Sequence, residues 1–156
     1  MATRSTIGIK NVDGSITNIY CHWDGYPEYV GTILNEFYKD NDKIKSLMEL
    51  GDLSSLAAEV GEQHPFDRDY DKPELDLYEN WCMAYGRDRG ETGVEAKTHP
   101  NLEKWIDFRE GSWCEYAYLW DGQSWLVHQI GNNTKDEYGS FIFDFVEQKV
   151  VDNAVN

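Results

Sequence analysis

The chain has 156 residues, with 29 Asp and Glu against 14 Lys and Arg, for a net charge of −15. That length suits a single domain with a core of ordinary size. The 6 Trp, 10 Tyr and 6 Phe set it apart from disordered sequences, although only 40% of its residues are apolar. The charge disfavours direct binding to DNA, RNA or anionic lipid, and it suits either plain solubility or a basic partner.

No apolar run is long enough to span a bilayer, and Met1–Arg4 leads into a strand-like stretch without the apolar core of a signal peptide. A cytoplasmic location is therefore expected. Cys21, Cys82 and Cys114 are odd in number and form no C-x-x-C pair, which points to reduced thiols.

In chain order, Ser5–Lys10 and Ser15–Cys21 alternate around an Asp13-Gly14 turn and predict a β-hairpin. Pro27 suits a first helical position, and Tyr29, Val30, Ile33, Leu34, Phe37 and Tyr38 then fall on one helical stripe. Asp40 or Asn41 can cap a second helix that buries Ile44, Leu47, Met48 and Leu50 and stops at Gly51. A short extended segment follows to about Val60.

Residues 59–79 hold eight acidic side chains, and Pro65 and Pro73 deny the stretch a continuous helix, so an acidic surface loop is expected. Leu77–Tyr85 reads as a strand ending in a turn at Gly86–Gly90. Asn101 can cap a helix through Leu102, Trp105 and Ile106. Trp113–Trp120 and Gln123–His128 flank Asp121-Gly122 as a hairpin with a two-residue turn.

The tail element within 132–156 stays open. Phe141–Val146 alternates like a strand, yet Ile142, Phe145, Val146, Lys149 and Val150 suit a helix, which length and composition favour. The order of elements predicts a single α+β domain over 1–156, with an antiparallel sheet built from hairpins and covered by helices.

Few residues carry a chemical signature. Asp67-x-Asp69-x-Asp71 starts like a calcium loop, but Lys72 stands where Gly is needed and Tyr78 takes the twelfth position. Cysteine and histidine spacings match no zinc pattern, so neither metal nor cofactor is expected. A Cys82 nucleophile paired in space with His22 or His128 is left open, but no nucleophile elbow, phosphate loop or dinucleotide turn accompanies it. Gly86-Arg87-Asp88-Arg89-Gly90 is the one basic concentration. It reads either as an anion clamp or as a turn whose arginines pair with the surplus carboxylates.

The least generic segment runs from Tyr20 to Gly31 (Tyr20-Cys21-His22-Trp23-Asp24-Gly25-Tyr26-Pro27-Glu28-Tyr29-Val30-Gly31). It could form a pocket wall or a packed core corner, and packing is the commoner use of such rings. Together with Gly51–Leu56 and Tyr118–Trp125, it resembles a family of small proteins of tailed bacteriophages and prophages that has no settled activity. The likeness spans most of residues 5 to 128 and leaves out the acidic 59–79 stretch and the tail. It carries no functional residues across.

A small acidic phage-type protein without catalytic signatures is expected to act by binding, as a host-takeover or anti-defence inhibitor. Asp67, Asp69, Asp71, Glu74 and Asp76 would stand in for phosphates against the basic nucleic-acid-binding surface of a bacterial host or defence protein. The alternative is a small-molecule binder or minor enzyme, in which Trp23, Asp24, Tyr26 and Tyr29 hold a small anionic ligand with Arg87 and Arg89.

Overall fold

The computed structural model describes residues 2–66, 78–131 and 135–155. The architecture is α+β, with helices packed on both faces of one sheet that has eight strands among the described residues. Strands β1 (Ser5–Lys10) and β2 (Ile16–Cys21) form the first hairpin, in register from Ser5↔Cys21 to Lys10↔Ile16. Its turn is held by the Asp13 carboxylate, which accepts from the Ser15 amide at 2.9 Å, and by Gly14 at φ 89°.

The second hairpin joins β6 (Tyr116–Trp120) to β7 (Trp125–Gln129). Its pairing ends at Trp120↔Trp125, so the connection is the four residues Asp121–Ser124 rather than the two expected. Asp121 widens the turn by accepting from the Gln123 and Ser124 amides at 2.9 and 2.8 Å. The hairpins meet along a parallel seam between β1 and β6, from Ser5↔Tyr116 to Ile9↔Trp120. The sheet built from hairpins is therefore mixed where they join.

The full path is β4-β3-β2-β1-β6-β7-β8, with β3 at Leu53–Ser55, β4 at Met83–Ala84 and β8 at Asp144–Phe145. A strand without a sequence signal, β5 (Lys97–His99), pairs with Ile16–Asn18 on the same edge of β2 that β3 meets at Cys21.

One face carries Ile7, Ile19, Cys21, Tyr118, Trp120, Trp125 and Val127. It is covered by a π-helical turn (Pro27–Gly31), α1 (Thr32–Phe37), α2 (Asn41–Leu50) and α5 (Val146–Val155). Of the stripe expected after Pro27, Val30, Leu34 and Tyr38 are buried, whereas Tyr29 and Phe37 are exposed. The wider π turn shifts the phase of the helix, so the fully buried residues fall four apart, with Ile33 packed against the core at their side.

The opposite face carries Ile16, Ala117 and Leu119 under Trp105 and Ile106 of α4 (Leu102–Gly111). Gly8 permits that contact, because a Cβ there would lie 3.0 Å from both the Ile16 methyl and the Trp105 ring. The Trp105 indole N–H donates to Thr6 Oγ1 at 3.0 Å.

Two expected elements take another form. Of the strand foreseen at Leu77–Tyr85, Leu77 lies outside the described residues and the strand found is β4 alone, and Gly86–Gly90 is not a strand-ending turn: Tyr85–Arg89 forms a short helix, α3, closed by left-handed Gly90 at φ 75°. Asp88 braces the start of that helix by accepting from the Ala84 amide at 2.8 Å. The tail satisfies both of its readings, with β8 pairing to β7 and running directly into α5.

Candidate functional site

Of the acidic stretch 59–79, Asp67, Asp69, Asp71, Glu74 and Asp76 lie outside the described residues, as does the calcium-like spacing they include. The ends of the stretch are described, and they are tied together. The Glu59 amide donates to Asn80 O at 2.9 Å and the Cys82 amide donates to Glu59 O at 3.0 Å. Gly61, at φ 74°, lies against Trp81, where a Cβ would overlap the indole. His64 is buried against Tyr78, with the rings stacked 5.1 Å apart, and its Nε2 lies 2.9 Å from Cys82 O and 3.4 Å from Asp88 Oδ2.

Arg87 completes this base. Its Nη1 donates to Val60 O at 2.7 Å, its Nη2 to Cys82 O at 2.8 Å and its Nε to Asp88 Oδ1 at 2.9 Å. Arg89 pairs with Glu91 at 2.6 Å and lies 4.6 Å from the Phe66 ring. With all three guanidinium nitrogens engaged, Arg87 holds the two ends of the acidic stretch together, and an anion could bind it only by displacing one of those contacts. An open cavity of about 370 Å³ beside Arg87 is lined by Glu49, Glu91 and Glu95 as well, so its charge disfavours an anion. None of Trp23, Asp24, Tyr26 and Tyr29 borders it.

The aromatic corner divides between core and surface. Pro27 and Val30 are buried, while Trp23, Tyr26 and Tyr29 are 45%, 37% and 37% exposed. The backbone beneath them is pinned on both sides. The His22 and Trp23 amides donate to Leu53 O and Ser54 O at 3.0 Å each, the Gly25 amide donates to Thr3 O at 2.8 Å, and Tyr118 Oη donates to Gly25 O at 2.6 Å. Gly25 packs so closely that a Cβ would fall 2.7 Å from that of Ser5.

Asp24 adopts φ 57°, and its Oδ1 accepts from the Tyr26 hydroxyl at 3.4 Å. The Asp24 charge is the largest of the effects that raise the Tyr26 phenol above its usual pKa, and after burial it also raises that of Tyr29.

The thiols and imidazoles do not assemble into a nucleophile pair. Cys82 Sγ lies 3.5 Å from Tyr38 Oη and 3.4 Å from the Ala57 amide, and burial pushes its pKa up. His22 Nδ1 instead meets Tyr20 Oη at 2.7 Å, and His128 Nδ1 donates to Ile142 O at 3.0 Å with its ring against Phe141 and Phe143. Among the described residues no group of three His, Cys, Asp or Glu side chains converges as a metal site, and no helix is long and apolar enough to cross a membrane.

Sequence reading passed over Arg109, which is buried beside Asn18 (Nε to Oδ1, 2.8 Å) and 4.0 Å from Asp52. Its signal was a charge four residues beyond Trp105 on the apolar side of α4. Asp88 and His64 were likewise missed, since their roles come from contacts distant in sequence.

Comparison with family models, curated proteins and solved structures yields no match.

Proposed function

We propose that the chain is a non-enzymatic binding protein of phage type, an inhibitor whose acidic 59–79 stretch occupies the basic, nucleic-acid-binding surface of a bacterial host or defence protein. The observation that carries this reading is the clamp under the stretch. Arg87, Asp88 and His64 hold its two ends on a buried base, so a run rich in carboxylates leaves and rejoins the sheet at one place. A pinned base fixes both ends of the stretch before a partner arrives, which lowers the entropy cost of association. The net charge of −15 supplies long-range attraction to a basic surface. The phage setting rests on the sequence resemblance alone.

The test is capture from bacterial lysate by the tagged protein at low and high salt, alongside a variant carrying Asp67→Asn, Asp69→Asn, Asp71→Asn and Asp76→Asn. The expected result is a nucleic-acid-handling protein retained at low salt and released at high salt, because exposed charges are screened. The variant should melt like the parent and fail to retain it. Equal retention by the variant would sink the proposal.

The exposed rings at Trp23, Tyr26 and Tyr29 favour a second reading, a ligand-binding surface at that corner. The position of Asp24 beside them bears on which ligand charge it would accept.

A further inference from the structure

We infer that the corner formed by Asp24, Tyr26 and Tyr29 is a docking site for a lysine or arginine side chain of the basic partner. This rests on the reading of a basic protein partner given above, but it concerns a surface separate from the 59–79 stretch.

The Tyr26 and Tyr29 rings have centroids 6.4 Å apart and planes 56° from parallel, and both are exposed. One cation can lie within about 6 Å of two rings so spaced, where the electron-rich faces attract it. The Asp24 carboxylate stands at the rim of this pair, in contact with the Tyr26 hydroxyl at 3.4 Å, and among the described residues it has no ion-pair partner. Glu28 adds negative charge near Tyr26. Rings and carboxylates therefore select one sign. An anion would meet Asp24 and Glu28, and a neutral apolar group would gain ring contact but forgo the charge.

The backbone is also preorganised. Asp24 holds a left-handed conformation at φ 57°, which costs an L residue free energy unless its neighbours impose it. Here the pinned amides of His22, Trp23 and Gly25 do so, and the carboxylate is held beside the rings before any partner arrives.

The probe is a short peptide containing arginine and lysine, followed by NMR of the Tyr26 and Tyr29 ring signals. The control is the same peptide with citrulline and norleucine in place of the charged residues. The charged peptide should shift both rings in the parent protein, and also in the variant with Asn at 67, 69, 71 and 76, while the neutral peptide should not. Asp24→Asn keeps a residue that tolerates the left-handed backbone, and Tyr26→Leu removes one ring. Each should weaken peptide binding by roughly 2- to 5-fold with the melting temperature unchanged.

An equal response to the neutral peptide, or full affinity in Asp24→Asn, would overturn the site. Either of those results leaves the reading of the acidic stretch standing, because lysate capture by the variant with four Asp→Asn changes tests that reading separately.

Discussion

Cys21, Cys82 and Cys114 are free and buried, and a thiolate at any of them would have almost no water to solvate it. Burial pushes Cys21 and Cys114 up to about 12 from the ordinary 9.0. The folded form thus holds these protons more tightly than the unfolded chain. Their contribution to stability is complete below pH 9.0 and is lost as the pH rises toward about 12. Urea midpoints are expected to fall steadily above pH 9, and more shallowly in Cys21→Ala once its lower baseline is subtracted. A flat profile would contradict the burial of these thiols.

His128 shows the opposite sign. Burial lowers its pKa below 6.5, so its neutral form is the one folded, and stability is lost as the pH falls below 6.5 toward the depressed value. The midpoint at pH 5 should therefore lie below that at pH 7, and His128→Phe should lose part of that difference.

Among elements, α3 shows how neighbouring residues of one kind part company. Arg87 and Arg89 look alike in sequence, yet Arg87 is tied to Asp88, whose side chain is wholly buried, while Arg89 pairs with Glu91 half in solvent. Removing Arg87 leaves the Asp88 charge buried beside its remaining donors, whereas removing Arg89 frees a surface carboxylate. Arg87→Ala is expected to cost about 3 kcal/mol, toward the low end for breaking a buried pair. Arg89→Ala should cost under about 1 kcal/mol, as exposed pairs do. Urea denaturation of the two variants measures both, and limited proteolysis should cut the 59–79 stretch faster in Arg87→Ala.

Helices α2 and α4 were readable in advance because their signals are local. Asp40 and Asn101 accept from the Asp42 and Lys104 amides at 2.8 and 2.9 Å, as residues of those types do at a helix start. The helix at Tyr85–Arg89 was not readable, since the contact bracing its start needs Asp88 to be buried against His64 and Arg87.

On the scale of the whole molecule, two hairpins that are each local become one sheet through the parallel seam of β1 and β6, which joins residues more than a hundred positions apart. Gly8 sits in that seam, where β1 is flanked by β2 and β6 and overlain by Trp105. Gly8→Ala would press a methyl group against Ile16 and Trp105, and such overpacking is expected to cost about 1–3 kcal/mol. The urea midpoint should drop with an unchanged slope, since the surface exposed on unfolding stays the same.

Strand alternation at Ser5–Lys10 and Trp125–Gln129, turn residues such as Asp13-Gly14, and the cap Asn101 act over a few residues, and the sequence alone determined them, whereas the structure chose Asp40 over Asn41 as the cap of α2. The tertiary structure decided which strands pair, that Lys97–His99 completes an edge, that Arg87 closes the base of the acidic stretch, and that Tyr26 and Tyr29 open outward beside Asp24. Those outcomes depend on contacts between distant segments. Their energies arise only when packing removes water from both partners at once, and no local pattern of residues records which partner that will be.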